Sequence, residues 1–310
     1  MSEGDTAIPK RTAMDYRTRV CAAMNFISSH LDRDSGLEEI AAAASFSPYH
    51  FHRIFRAVVG ETVAGFTRRV RLEAAAGRLL ARPDEEVTAV AIDCGFSSSQ
   101  NFAKAFRQHF GMSPTEFRKS KIGTMKRKDG NALRLGVTYD PATAFAEVPP
   151  RTMNDMTMNA EVKEMPELHV AYVRKMGPYG KETCEAAFGE LMRWAGPRGF
   201  AESGQTLTVY WDNPEVTAPE QCRVDACVTV PEGIAVDAPV ALQVMAGGRY
   251  AVCRIETKAD HFDAAWQAAF AWVVDHGHEC AERPCYELYH QVGAKSPDGL
   301  WIFDICVPLV

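Results

Sequence analysis

Two stretches of this chain are copies of one pattern. LEEIAAAASFSPYHFHRIFRAVVGETVAGF begins at Leu37, and VTAVAIDCGFSSSQNFAKAFRQHFGMSPTEF begins at Val87. Aligned at Phe46 and Phe96, Ala41 falls on Ala91. Beyond one inserted residue, Phe51 meets Phe102, Phe55 meets Phe106, Arg56 meets Arg107, Gly60 meets Gly111, Thr62 meets Ser113 and Phe66 meets Phe117. Each copy reads as a short helix, a tight turn and a second helix, with apolar residues three and four apart. Aromatic residues four apart in the second helix share one face, which must pack inward. The opposite face is polar: Tyr49, His52, Arg53 and Arg56 in one copy, Ser99, Gln100, Lys104 and Arg107 in the other. Ser47 before Pro48 suits a helix start, with its side chain capping and proline in the first turn. TVAGFTRRVRLEAAAGRLLAR lies between the copies, a helix long enough to set their separation.

The chain has 310 residues, more than one hydrophobic core usually serves, so two domains are expected. Charge divides the same way. Residues 1–128 carry +6 and residues 129–310 carry −12, which suggests that one half meets a polyanion and the other does not. The nine cysteines are scattered without a CxxC pair, a pattern suited to reduced thiols in the cytoplasm rather than a disulfide framework. Residues 1–14 begin MSEGDTAIPKR and read as a disordered lead-in without a secretory h-region. No run of 18 or more apolar residues marks a membrane span, so no membrane partner is expected.

Residues 15–121 resemble the DNA-binding domain of the AraC/XylS family. The linker RVRLEAAAGRLL and the segment GFSSSQNFAKAFRQHFGMSPTEFRKS carry the likeness. The resemblance implies double-stranded DNA as a partner, with the second helix of each unit in a major groove. There its N-terminal residues meet base edges. It places base-facing positions at Tyr49, His52 and Arg53 in the first unit and at Ser99, Gln100, Asn101 and Lys104 in the second. Arg56 and Arg107 sit better for phosphates, which position a protein without reading sequence. Two units on one rigid helix reach grooves about 34 Å apart on one side of a duplex.

Residues 122–157 show no sustained period and read as a linker. Lys121, Lys126, Arg127 and Lys128 at its start are more ordinarily a solvated charge run than phosphate contacts, and ALRLGVTYD suits a short strand. A second duplication follows. VKEMPELHVAYVR from Val162 matches LQVMAGGRYAVCR from Leu242, a helix follows each, and DACV from Asp225 matches DICV from Asp304. Each half reads β-α-β-β. The fold class expected is an all-α N-terminal domain of two helix-turn-helix units joined by a long helix, followed by an α+β C-terminal domain. In the latter a duplicated β-α-β-β forms one antiparallel sheet with helices on one face, leaving the other face free for a groove between the halves.

Residues 158–310 resemble the GyrI-like effector-binding domain, also found in drug-responsive regulators. MGPYG, VYWDNP, AAWQAAFAWV, CYELYHQ and WIFDICVPL carry that likeness. It implies an aromatic-lined pocket for a small effector, cationic or hydrophobic, with an acidic residue at its floor. The matching residue is Glu287. Tyr289 shares its strand face, and Tyr172, Tyr210, Trp211 and Trp301 are candidate walls. A carboxylate among rings attracts a cation, to which ring faces add about 0.5–2 kcal/mol. Without a ligand such a buried carboxyl should have a raised pKa.

The expectation is a cytoplasmic, DNA-binding, effector-responsive transcription regulator, read as an activator with RNA polymerase as a further partner. No cofactor, metal site or catalytic residue is assigned. HGHECAERPC offers histidines and cysteines but lacks the spacing of zinc ligands. Two other readings of the C-terminal half stay open: a GyrI-like small-molecule hydrolase with Glu287 as general base, and a protein-docking module with a flat, closed surface.

Overall fold

In the N-terminal half four helices among the described residues end within two residues of a glycine or proline, at Gly60, Pro83, Gly95 and Gly111. α1 spans Lys10–Ser29, starting ahead of the expected boundary at residue 15. It is followed by α2 (Leu37–Ala43), α3 (Pro48–Val59), α4 (Val63–Ala81), α5 (Val87–Asp93), α6 (Ser99–Phe110) and α7 (Pro114–Lys119). The computed structural model describes residues 10–82, 84–119, 139–141, 144, 156–212, 214, 217–291 and 299–310. Residues 1–9 and most of the connector, including Lys121, Lys126, Arg127, Lys128 and Ala132–Thr138 of the expected strand, lie outside the described residues. The chain divides into a helical unit, mostly residues 17–148, and a sheet unit, mostly residues 149–310.

The helical repeat is visible in the backbone. Phe46 donates its N–H to the Ala41 carbonyl at 2.8 Å, and Phe96 does the same to Ala91 at 3.0 Å. Ser45 and Gly95, the aligned residues before them, take left-handed conformations, with φ of 55° and 78°. α4 is the element against which α5, α6 and α7 all pack. Its Leu72, Ala75, Ala76 and Leu79 join Val90, Ala91, Phe102, Phe106 and Phe117 in one buried cluster. Tyr139, from the connector, exchanges two hydrogen bonds with the Asn25 side chain and lies 5.5 Å from the Phe66 ring.

The sheet unit has an initial strand in each half that the sequence reading did not separate. The order is β1 (Thr157–Met165), β2 (Leu168–Met176), α8 (Lys181–Ala195), α9 (Phe200–Ser203), β3 (Thr206–Tyr210) and β4 (Arg223–Thr229). It continues with β5 (Ala241–Met245), β6 (Gly248–Thr257), α10 (Phe262–Asp275), β7 (Tyr286–Gln291) and β8 (Trp301–Pro308). Each matched stretch is thus two strands, interrupted at Pro166 and Glu167 in one half and at Ala246 and Gly247 in the other. One antiparallel sheet of eight strands results, in the order β1-β6-β8-β7-β3-β4-β2-β5.

That order has a consequence for shape. β1 lies at one edge, yet β2 follows immediately and pairs with β5 at the opposite edge. The sheet must curl until its edges approach. At the crossing, a side chain on Gly247 would sit 2.7 Å from the Glu167 nitrogen and 2.8 Å from the Met165 carbonyl, so only glycine fits. The halves meet where β3 pairs with β7. On the outer face α8 packs Ala187, Leu191 and Trp194 on Ala171, Val173, Ala226 and Val228, while α10 buries Ala265, Ala269 and Val273. The inner face is not an open groove, contrary to the expectation. Its own side chains fill it, among them Val170, Leu207, Val209, Met245, Tyr250, Val252, Tyr286 and Leu288.

Candidate functional site

In α6 the amphipathic pattern is fully expressed. Ser98 caps the helix by accepting the Asn101 N–H at 3.2 Å. Phe102 and Phe106 are completely buried, while Gln100, Asn101, Lys104 and Arg107 are exposed and Ser99 is half-buried. Arg107 approaches Glu116 at 3.6 Å, but both side chains are about two-thirds exposed, and such a pair holds an arginine only weakly. Glu116 also accepts from the Ser113 hydroxyl and backbone N–H, closing a capping box at the start of α7.

α3 is built the same way, with Tyr49 donating its N–H to the Ser47 hydroxyl at 3.4 Å and Phe51 and Phe55 buried. Its polar face differs. Tyr49, Arg53 and Arg56 are half-buried and His52 is buried. The two helices therefore do not present their polar residues equally to solvent.

In the sheet unit the candidate site forms at the β3–β7 junction, on the outer face between α8 and α10. Strand alternation decides which residues share it. Glu287 pairs with Thr208, so Thr208, Tyr210, Glu287 and Tyr289 point to the same side. Glu287 is fully buried. Its Oε2 accepts from the Tyr289 hydroxyl at 2.5 Å and the Tyr210 hydroxyl at 3.0 Å, and its Oε1 accepts from the Trp266 indole N–H at 2.7 Å. Thr208 hydrogen-bonds the Tyr289 hydroxyl at 3.0 Å; as that hydroxyl donates to Glu287, Thr208 supplies the proton.

Rings surround the carboxylate. Tyr210 lies edge-on to Tyr179 and to Trp266, with centroids 5.0 and 5.8 Å apart. Tyr289 meets Phe188 at 6.0 Å and Trp301 at 5.9 Å. Cys184, Phe188 and Met192 of α8 face Phe262, Trp266 and Phe270 of α10 across the cleft. Burial raises the Glu287 pKa, although the hydrogen bonds from Tyr289, Trp266 and Tyr210 pull it back in part. Burial likewise lifts both tyrosines well above the ordinary value and pushes the Cys184 thiol up to about 11. All three groups are therefore neutral and protonated near pH 7, and the two tyrosines each offer a hydrogen to the carboxylate.

The structure brings Glu287, Tyr289, Tyr210 and Trp301 together. It places Tyr172 and Trp211, expected as walls, on the opposite face. Tyr172 pairs with Cys227, whose parity is that of the inner face, and Trp211 follows Tyr210 directly and so turns the other way. Both instead flank Arg174, their ring centroids 5.3 and 5.2 Å from its guanidinium. Arg174 binds the buried Asp225 through two hydrogen bonds of 2.7 and 2.8 Å. Trp211 and Gln243 donate to the same carboxylate at 2.7 and 3.1 Å. Trp266 was missed as a site residue. Its place in α10, four residues from both Phe262 and Phe270, was the available signal, but that spacing reads equally as core.

Near the considered histidine–cysteine run, His276 stacks on Trp272 at 4.1 Å. No group of three or more metal-ligating side chains occurs among the described residues. Among them, too, no helix is long and apolar enough to cross a membrane.

Comparison with known proteins agrees with this division. The model of the GyrI-like small molecule binding domain matches residues 158–310, and that of a helix-turn-helix domain matches residues 40–120. A DNA gyrase inhibitor of Pantoea sp. (strain At-9b) is 31% identical over 161 residues, which is 49% of this chain and 98% of that protein. Another, of Escherichia coli (strain K12), is 32% identical over 154 residues, 48% of this chain and 96% of that one. Among solved structures, the C-terminal domain of AraT, a response regulator from Geobacillus stearothermophilus, is 26% identical with a TM-score of 0.31. It covers 33% of this chain and 85% of that one. With a duplicated helix-turn-helix unit ahead of a sheet unit related to the gyrase inhibitors along nearly their whole length, the chain belongs to the AraC-type regulators that carry a C-terminal GyrI-like small molecule binding domain.

Proposed function

We propose that this regulator is an activator that responds to a hydrophobic cation held over Glu287, and that α3 and α6 read successive major grooves of one operator. The observation that carries the effector reading is the buried carboxylate at the floor of an aromatic cleft. All three hydrogen bonds it accepts come from neutral groups, so they orient the charge without neutralising it. A flat surface of this sheet unit would have favoured protein docking; the cleft supports a small ligand. Tyr289, Tyr210, Trp266 and Trp301 form the walls. The ligand leaves unchanged, since the site is assigned to sensing and not to turnover.

On the DNA side, Gln100, Asn101, Lys104 and Ser99 contact base edges, as do Tyr49 and Arg53, with Arg56 and Arg107 on phosphates, while His52 is buried and so is not assigned a base contact. Effector binding shifts the population of forms competent for DNA or for RNA polymerase, in the cytoplasm where its DNA lies. The test is a thermal-shift screen of hydrophobic cations on the wild type and Glu287→Gln, with product analysis of the bound compound. A cation that stabilises only the wild type and is recovered intact is expected. Equal shifts for both proteins remove Glu287 as the anchor, and turnover overturns the sensing assignment.

A further inference from the structure

The duplicated turn contains its own control experiment. Ser45 and Gly95 hold the same position in the two helix-turn-helix units and both adopt positive φ. Ser45 shows that the turn accepts a side chain. The glycine in the second unit is therefore required by something other than the turn itself. A Cβ on Gly95 would lie 2.1 Å from the Leu31 carbonyl and 2.7 and 2.8 Å from Nε and Cζ of Arg71. The Leu31 carbonyl is backbone, so that overlap cannot be relieved without backbone movement, and relieving the other two would displace the Arg71 side chain. Leu31 belongs to the loop between α1 and α2 and Arg71 to the connecting helix α4, so the second unit's turn is pressed directly against both.

Arg71 fastens this contact. Its Nε donates to the Leu31 carbonyl at 3.1 Å and its Nη2 to the Arg33 carbonyl at 2.7 Å. The side chain is only 13% exposed, and its approach to Asp34, itself fully exposed, is a loose 3.7 Å. The guanidinium fork thus binds two carbonyl groups, two residues apart, of the loop that leads into the first unit, and lies against the Gly95 position of the second. A planar fork with fixed donors suits this bridging role, and an ammonium does not. A carbonyl clamp of this kind contributes nothing to a groove surface. It constrains instead how one helix pair is turned relative to the other.

We infer that Arg71, wedged between the Leu31 and Arg33 carbonyls and Gly95, is a positioning residue that fixes the spacing and rotational phase of the two reading heads, and hence the half-site spacing the protein accepts. The inference rests on the proposal that both α3 and α6 engage one duplex. DNA amplifies small errors of phase, because inserting one base pair shifts a half-site by about 3.4 Å and turns it by about 35°.

The experiment selects a duplex from a randomised library with the wild-type full chain. Affinity is then measured on that duplex and on versions with one or two base pairs inserted or removed between the half-sites. The wild type should lose about tenfold or more per inserted pair, comparable to a mismatched contact. Arg71→Gln should bind the selected duplex more weakly and show a spacing penalty reduced to about two- to threefold, whereas binding to an isolated half-site stays unchanged. Arg71→Lys should fall between, and Gly95→Ala should mimic Arg71→Gln. Unchanged half-site binding is the check that the variants are folded. A wild-type footprint spanning two grooves with the same spacing profile in Arg71→Gln overturns the clamp alone. A wild-type footprint confined to one groove overturns the two-headed reading and the clamp with it.

Discussion

Replacing Glu287 with glutamine removes one charge from the cleft while keeping size and shape. The carboxylate already accepts three hydrogen bonds, from Tyr210, Tyr289 and Trp266, so a cation lacking N–H donors gains from its charge and from the ring faces rather than from a new hydrogen bond. With a charge centre about 5 Å away and an effective dielectric near 20, Coulomb's law gives about 3 kcal/mol, or roughly a hundredfold in Kd. Isothermal titration with tetraphenylphosphonium, which carries charge but no N–H donor, isolates that contribution. The pH dependence is a second signature. Burial raises the Glu287 pKa, so the empty site takes up a proton at a pH where an exposed glutamate is already ionised. A cation binds the ionised form, so affinity should rise as pH climbs through the folded pKa, and Glu287→Gln should show no such slope. The sign for stability is opposite. A raised carboxyl pKa contributes stability below its unfolded value, lost as pH climbs through the folded one, so the variant's deficit in the empty protein should narrow at higher pH. Equal affinity in both proteins, or the same pH slope in both, would refute the electrostatic argument.

Further outcomes are expected elsewhere. Lys104→Ala and Arg53→Ala should each weaken specific DNA binding, by about 1–3 kcal/mol where the side chain meets a base edge; unchanged footprints at physiological salt would contradict the assignment. Phe106 is completely buried, with the rings of Phe102, Phe110 and Phe117 within 5.3 Å, so Phe106→Ala should cost the helical unit about 3–5 kcal/mol in denaturant unfolding. Asp225→Ala strands the donors of Arg174, Trp211 and Gln243 and should destabilise the sheet unit by about 3 kcal/mol, discounted because Arg174 is partly exposed. As Asp225 lies on the inner face, cation affinity should not change, and a lost affinity would show that the faces are coupled.

The sequence alone determined the two kinds of periodicity, and through them the elements. Phe51 and Phe55, like Phe102 and Phe106, could only be buried helix faces, and matching positions in each duplicated half had to build matching structure. Glu287 and Tyr289 were legible as neighbours because alternate strand residues share a side. Which side they shared was not legible, since the hydrophobic pattern of a sheet packed on both faces no longer alternates. Long-range pairing decided it. Curling of the sheet sent Tyr172 and Trp211 inward and set Trp266, from a helix distant in sequence, onto the Glu287 carboxylate. The need for glycine at position 95 likewise came from a carbonyl at Leu31, brought there by packing alone. Local spacing constrains what a residue can present, whereas the partner it meets depends on chain crossings that no single segment encodes.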